Sequence, residues 1–520
     1  MKNNKIINNA LISVSNKTGI IEFARHLVQK NINLFSTSGT KKILDNEGIK
    51  SIHISEYTNF PEIMRGRIKT LHHKIYAGIL SDPNKDQETM KLHEIIKIDL
   101  VVINFYSFSK ISSKTELHHN DIIELIDIGG PTIVRAASKN YENVVVVVKP
   151  NNYYDIVQEM NVNNNKISQE TRLKLANIAF QYVLNYDYGI SKYFSNISNN
   201  TNSSSDLPKY LHYVFKKKQN LAYGENKHQK AGLYINLSNN YKIVQIQGKK
   251  LSYNNLSDAD IAISCVQEFK KPTCIIIKHG NPCGAATSHD HISAYLSAYN
   301  SDPTSAFGGV IAFNSTIEEK AANVIINQQF VELILAPYIT DSALKIFSKK
   351  PNIRIIKYCN QYNNTKQLNI QSINGAFLIQ TSSFDVISQK DWKVVSKKLP
   401  TLKEKCDALF ALKIVKYIKS NAIVYVRDLK TISIGSGQTS RIDAIKIATI
   451  KANENKVNLK KSTIASDGFF PFKDSIEIIA KQGTSCIIQP GGSIRDKEVI
   501  ASVDQNAISM IFTKKRYFKH

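Results

Sequence analysis

Apolar runs alternate with amphipathic stretches over the first 150 residues. Ala10–Val14 is a short apolar run that predicts a strand, and Ile20–Lys30 carries its apolar residues at helical spacing. Asn33–Phe35 predicts a second strand, which runs through Ser36-Thr37-Ser38-Gly39-Thr40 into another helix. Leu100–Asn104 and Val144–Val148 are continuous β-branched runs, the pattern of parallel strands buried on both faces. The alternation predicts a doubly wound α/β domain with polar, glycine-bearing loops after its strands. Residues 153–194 read as helix, and Asn196–Asp206 is a polar, linker-like run. Strand–helix alternation resumes from about 208, with a weaker break at Asn360–Asn364. The pattern divides the chain into a first domain at 1–150, a helical connector and linker at 151–206, and two further subdomains at 207–365 and 366–520. The strand signals at Ile275–Ile277 and Cys486–Ile488 fit two related halves, although no strict sequence repeat joins them.

Composition changes this picture little. A chain of 520 residues is too long for one hydrophobic core. Its six cysteines (265, 274, 283, 359, 406, 486) are scattered without a Cys-x-x-Cys pair, which argues against a disulfide framework or zinc ribbon and for a reducing cytoplasm. No apolar run is long enough to cross a bilayer, and Met1–Asn9 is polar, so neither a membrane nor a secretory route is expected. The net charge of +25 is spread among many Asn and Ile residues, as an AT-rich coding bias produces. Clustered basic residues with interleaved aromatics are not visible, so no nucleic-acid partner is expected. Lys216-Lys217-Lys218 reads as a solvated helix end.

The chemistry concentrates in Cys274-Ile275-Ile276-Ile277-Lys278-His279-Gly280-Asn281-Pro282-Cys283-Gly284. A buried strand there delivers a cation and an imidazole to the edge of a sheet, where open α/β folds place their ligands. The pair can supply a fixed positive charge and a proton acceptor at one reacting atom; a decorated strand end reads the same way in isolation.

Further polar-glycine clusters follow one another along the chain. They are Arg67–His72, Asp127–Thr132, Arg135–Asn140, Tyr223–Asn226, Leu251–Asn255, Asp302–Gly309, Gly435–Arg441, Ser466–Phe472 and Gln489–Asp496. In order and spacing the set resembles the bifunctional purine biosynthesis (PurH) family over essentially the whole chain. That family joins a 5-aminoimidazole-4-carboxamide ribonucleotide (AICAR) transformylase to an inosine monophosphate (IMP) cyclohydrolase.

The resemblance implies an N-terminal methylglyoxal-synthase-like domain that closes the ring of formyl-AICAR (FAICAR). There Ser13, Ser15, Lys17, Thr18, Thr37, Ser38, Gly39, Thr40 and Arg67 would bind the ribonucleotide phosphate and nearby groups. Lys69, Thr70, Tyr106, Asp127 and Lys139 would surround the closing ring, with Lys139 as principal acid/base group beside an acid. It implies that the C-terminal region is the transformylase, built as two cytidine-deaminase-like subdomains. His279 would be general base toward the 5-amino group of AICAR, and Lys278 would stabilise the formyl oxygen. Tyr223, Gly308, Glu332, Asn421, Arg441 and Arg516 would surround the substrate, the arginines suiting a phosphate. Ile442, Phe469, Asp474, Ser493 and Ile494 would lie near the co-substrate 10-formyltetrahydrofolate. A homodimer in the cytoplasm is implied as well.

A zinc deaminase needs His-x-Glu and Pro-Cys-x-x-Cys. Here Ala286 stands three beyond Cys283 and no His-x-Glu precedes it, so no catalytic metal is expected. Four positions depart from the family pattern: Ala222 replaces an arginine, His73 and Ser107 replace prolines, and Asn16 replaces an aspartate. Ala222 opens an alternative, a cyclohydrolase with weakened transformylase.

Overall fold

The computed structural model describes residues 5–106, 108, 117–202, 207, 209–211, 213–236, 243–359, 368–381 and 387–520. Ser107, linker residues 203–206, the break at Asn360–Asn364 and the boundary at 365/366 lie outside the described residues. The chain folds as two compact units, Met1–Val214 and Phe215–His520.

In the first unit five parallel strands form a sheet among the described residues: β1 (Asn9–Val14), β2 (Asn33–Ser36), β3 (Ile52–His53), β4 (Leu100–Asn104) and β5 (Val145–Val147). Their order is β3-β2-β1-β4-β5. Successive residues feed opposite faces. Leu11, Val101, Ile103 and Val146 pack into one core layer, while Ala10, Ile12, Val102 and Val147 pack into the other. Both faces are covered, which is why these strands read as unbroken apolar runs. The order reverses between β1 and β4, so the crevice past their carboxyl ends is the switch point where such folds hold ligands. Helices α1 (Ile20–Gln29) and α2 (Ser38–Asn46) leave β1 and β2 there, and α3 (His73–Leu80) and α4 (Gly129–Lys139) follow. The expected connector packs into this unit. Its helix α5 (Gln169–Asn202) lies against α4 and β5 and carries helix into the stretch expected as linker.

The second unit contains a twelve-stranded sheet among the described residues. One half holds β6 (Ile243–Gln247), β7 (Thr273–Lys278), β8 (Asn281–Thr287), β9 (Gly309–Phe313), β10 (Val331–Ala336) and β11 (Arg354–Tyr358). The other holds β12 (Lys393–Val394), β13 (Ile423–Arg427), β14 (Lys430–Gly435), β15 (Thr463–Ser466), β16 (Cys486–Gln489) and β17 (Ser509–Phe512). The order is β6-β11-β10-β9-β7-β8-β14-β13-β15-β16-β17-β12. Read outward from the β8–β14 seam, both halves have the same pairing: an antiparallel hairpin, an antiparallel neighbour, two parallel strands and an antiparallel edge. The helix before each central hairpin also matches. α6 (Tyr253–Val266) and α10 (Leu402–Val415) each begin with a reciprocal capping box, Ser252 with Asn255 and Thr401 with Glu404.

Thus two related halves exist, and Ile275–Ile277 and Cys486–Ile488 lie one in each, at different places in the order. Ile275–Ile277 lies in β7, whose counterpart is β13, whereas Cys486–Ile488 lies in β16, whose counterpart is β10. Both are fully buried apolar runs, and burial alone does not mark a strand's place in the order. Lys216-Lys217-Lys218, expected at a helix end, lies in the exposed strand Phe215–Asn220, paired with Gly232–Asn236.

Candidate active sites

In the first unit the loops after β1 and β2 are tied together. Ser13 Oγ and Thr37 Oγ1 share a hydrogen bond of 2.9 Å, and the Val14 N–H donates to Thr40 Oγ1 at 3.1 Å. Asn104, the last residue of β4, accepts from the N–H groups of Ser15 and Asn16 at 2.8 and 2.7 Å through its Oδ1. The Asn16 side chain in turn accepts from the Thr18 N–H at 3.0 Å, so the asparagine at this departure position still shapes the loop. Lys17 Nζ donates to the Val14 carbonyl and, at 3.3 Å, to Thr40 Oγ1. Burial, and then the charge of Lys69, lower the Lys17 pKa from its ordinary value. Ser38 Oγ donates to Glu62 at 2.6 Å at the start of α2, beside Gly39 and Thr40. Hydroxyls, a lysine and two helix N-termini therefore converge past the ends of β1 and β2, as an anionic ligand requires.

Lys69 and Thr70 link this cluster to the start of α4. Thr70 is buried, and a Cβ added to Gly129 would stand 2.6 Å from its Oγ1. Asp127 caps the same helix start: its Oδ1 accepts from the Gly130 N–H at 2.9 Å, and its own N–H donates to Tyr186 Oη at 2.7 Å. The Tyr76 hydroxyl is pushed up to about 12 by burial, opposed by a hydrogen bond with Thr132 and aided by the nearby Asp127 charge. Tyr106 is exposed just beyond β4. Arg67 is exposed and lies 3.8 Å from Glu124.

Lys139 departs from its expected place. It is the last residue of α4, an 11-residue helix that starts beside Asp127. At 1.5 Å per residue the helix spans about 15 Å, which sets Lys139 at the opposite end of α4 from Asp127. The lysine that does stand beside the cluster is Lys69.

In the second unit His279 and Gly280 are the two central residues of the β7–β8 hairpin, with φ of 50° and 75°. Two positive φ values are what a tight right-twisted hairpin requires, and Gly280 supplies one at no steric cost. Lys278 Nζ donates to the carbonyls of Phe307 and Gly308 at 2.8 and 3.0 Å. His279 is exposed at the tip. Glu332 accepts from Asn255 Nδ2 at 3.3 Å, and the Tyr223 carbonyl accepts from the Tyr253 N–H at 3.1 Å, so both join the start of α6.

Asn281 carries the site across the seam, accepting from the Lys419 N–H at 2.9 Å. Asn421 follows closely, and its Oδ1 accepts from Arg441 Nη1 at 2.7 Å. Arg441 also donates from Nε to the Phe469 carbonyl at 3.1 Å and pairs with Asp467 at 3.1 Å. Asp467 is 0% exposed. The Arg441 charge is thus matched inside the protein by Asp467. Arg516 is exposed, with its guanidinium 4.8 Å from the Phe518 ring centroid.

Ile442 follows Arg441 at the start of α11 (Arg441–Glu454). Phe469 lies on the loop past β15, Asp474 opens the helix Asp474–Lys481 that follows, and Ser493 and Ile494 lie on the loop past β16; Ile494 is 103% exposed and Phe469 43%. Cys283 is buried, its thiol pushed up to about 12 chiefly by burial. Sequence reasoning missed the seam contact of Asn281 and the partner role of Asp467.

An anion-ready doubly wound unit on the same chain as a lysine–histidine hairpin defines an α/β enzyme for anionic small molecules. The family model described as "AICARFT/IMPCHase bienzyme" matches residues 137–451, and that of the "MGS-like domain" matches 19–132. The chain belongs to the AICARFT/IMPCHase bienzyme family. It is 56% identical to the bifunctional purine biosynthesis protein PurH of Buchnera aphidicola subsp. Baizongia pistaciae, over 100% of both chains. Identity is 50% and 51% to the PurH proteins of the subspecies Acyrthosiphon pisum (strain Tuc7) and Schizaphis graminum, again over 100% of each. The solved "Crystal structure of ForH" aligns with 36% of this chain and 99% of its own at 29% identity, with a TM-score of 0.33, too slight a likeness to carry a structural argument.

The chain is therefore a bifunctional enzyme of purine biosynthesis. It is both AICAR transformylase and IMP cyclohydrolase, and AICAR, FAICAR and IMP are its nucleotides. Among the described residues no helix is long and apolar enough to cross a membrane.

Proposed function

We propose that the two reactions divide between the units, ring closure in Met1–Val214 and formyl transfer in Phe215–His520. The observation that carries this is the hairpin holding Lys278 and His279 in one unit and the tied loops after β1 and β2 in the other.

For formyl transfer the 5-amino nitrogen of AICAR bonds to the formyl carbon of 10-formyltetrahydrofolate. His279 takes the amino proton as that bond forms. Lys278, fixed by two carbonyls, donates to the formyl oxygen as negative charge develops there. The bond to N10 then breaks, and N10 takes up a proton. Arg516 and nearby cations meet the phosphate, and Arg441 with Asn421 presents fixed hydrogen-bonding groups to a neutral part of the substrate. Tyr223, Gly308 and Glu332 line the approach. Exposed Phe469 and Ile494, with Ile442, give the pterin and benzoyl rings an apolar wall, and Asp474 and Ser493 supply polar groups.

For ring closure Ser13, Ser15, Thr18, Thr37–Thr40, Arg67 and Lys17 bind the ribonucleotide phosphate and adjoining groups. The carboxamide nitrogen attacks the formyl carbon and water leaves. Asp127 exchanges protons, and Lys69 with Thr70 and Tyr106 stabilises the developing oxyanion. Lys139, exposed at the far end of α4, serves ring closure only by reaching the site of a second copy, in keeping with a homodimer. An exposed pair, Phe307 and Phe330 with ring centroids 5.6 Å apart beside Gly308, supports an interface at the transformylase site as well. Cysteines 265, 274, 283, 359, 406 and 486 are free, in keeping with the cytoplasm.

The phosphate assignment has a pH signature. Lys17 has a lowered pKa, so it loses its proton earlier than an exposed lysine as pH rises, and its pull on a phosphate goes with it. Calorimetric binding of IMP should weaken as pH rises from neutral toward the ordinary lysine range, more in the wild type than in Lys17→Met. Equal pH dependence in both proteins contradicts the assignment.

A further inference from the structure

The internal repeat has built one device twice. Asp258 lies on α6, six residues after its Ser252 cap, and Asp407 lies on α10, six residues after its Thr401 cap. Each carboxylate reaches the hairpin that follows its helix. Asp258 Oδ1 accepts from the Gly280 N–H at 2.8 Å. Asp407 accepts from the N–H groups of Asp428 and Leu429 at 3.2 and 2.8 Å. Both hairpins hold two positive-φ residues at the tip, His279-Gly280 in the first half and Asp428-Leu429 in the second. Asp428 and Leu429 are non-glycine residues in the left-handed region, as is His279, so each tip has a conformation that something must hold. Burial, ahead of other causes, raises the pKa of both carboxyls. His279, Lys278, Glu332 and Lys519 are the charged or titratable groups facing Asp258.

We propose that Asp258 is a positioning residue for formyl transfer: its hydrogen bond to Gly280 fixes the hairpin tip so that His279 and Lys278 meet one reacting atom. Asp407 is the same clamp on a tip without a catalytic group, and it serves stability alone. The inference rests on reading His279 as the general base. A carboxylate one residue beyond that imidazole sets its height and direction, and a misplacement of about 1 Å at a reacting centre costs on the order of 100-fold in rate.

The experiment compares D258A, D258N, D407A and His279→Ala in the full chain, measuring kcat and KM for formyl transfer and the rate of ring closure from supplied FAICAR. D258A should lose on the order of 100-fold in kcat with KM for AICAR within about 3-fold, the pattern of a group needed only in the transition state. D258N keeps an oxygen that can accept from Gly280 and should recover most of that loss. D407A should melt at lower temperature and keep kcat within about 3-fold of wild type. A wild-type far-UV circular dichroism spectrum at the assay temperature reports an intact second unit, and unchanged ring closure confines the effect to formyl transfer. If D258A does not fold, hydrogen exchange of the wild-type peptide covering residues 278–283 decides instead. A protected Gly280 amide supports the clamp, and free exchange overturns it. The proposal also falls if D258A keeps wild-type kcat, if its loss is a KM effect, or if D258N is no better than D258A. An active His279→Ala would instead overturn the reading of the base and leave the clamp without a task.

Discussion

His279→Ala should abolish formyl transfer while ring closure from supplied FAICAR continues near the wild-type rate. General-base assistance is typically worth roughly 100- to 10,000-fold, and the neighbouring Lys278 does not replace the imidazole. Lys278 is engaged with the Phe307 and Gly308 carbonyls and is a donor, not an acceptor. The selectivity follows from the fold. His279 sits in the hairpin between β7 and β8, whereas the residues proposed to close the ring sit in the other unit. Absorbance assays started separately from AICAR and from FAICAR measure the two steps. Equal loss in both assays would contradict the division of labour between units.

Asp127→Asn should show the converse, with FAICAR accumulating when AICAR and folate are supplied. The carboxylate caps α4 through the Gly130 N–H, a bond that an asparagine oxygen can keep, so helix stability is preserved while proton exchange is lost. The expected loss in ring closure is on the order of 100-fold or more. Lys139→Ala gives a sharper result in combination. If Lys139 acts across a subunit boundary, neither Asp127→Asn nor Lys139→Ala homodimers close the ring well, yet mixed dimers regain part of the activity, because one site then receives both native groups. Absence of recovery on mixing, with dimers exchanging, excludes the trans arrangement.

Much of the fold was legible because burial leaves a pattern. Leu100–Asn104 reads as a strand buried on both faces, and it is β4, with residues alternating between two core layers. The loops after β1 and β2 were legible because hydroxyls, glycine and lysine after an apolar run are what a helix N-terminus at a switch point leaves in the sequence. The place of Lys139 was not legible in the same way: only the resemblance sets it beside Asp127, whereas Gly129–Lys139 is one helix, and a helix separates its ends at 1.5 Å per residue.

The repeat in the second unit was hidden because its halves share pairing and caps rather than residues. A box of Ser252 and Asn255 serves one half, and Thr401 and Glu404 serve the other. Aligning the two caps would have exposed Asp258 and Asp407 at the same offset. Asp467 was visible within a glycine-bearing cluster, but its pairing with Arg441 joins residues from separate elements that only the folded sheet brings together. The two arginines expected around the substrate differ in setting: Arg441 is paired inside the protein and Arg516 is exposed.

Position 222 bears most directly on the bifunctional assignment. The alanine there is exposed, and its N–H donates to the Leu251 carbonyl at 2.8 Å, so the backbone of the segment is held although the family's arginine is absent. The account keeps transformylase activity because Lys278, His279 and their supports are intact, and assigns the phosphate to Arg516 and neighbouring cations. The decisive measurement supplies purified protein with saturating AICAR and 10-formyltetrahydrofolate and follows tetrahydrofolate and IMP together. The account predicts matched, folate-dependent formation of both. Undetectable consumption of AICAR by protein that still converts FAICAR to IMP would contradict it.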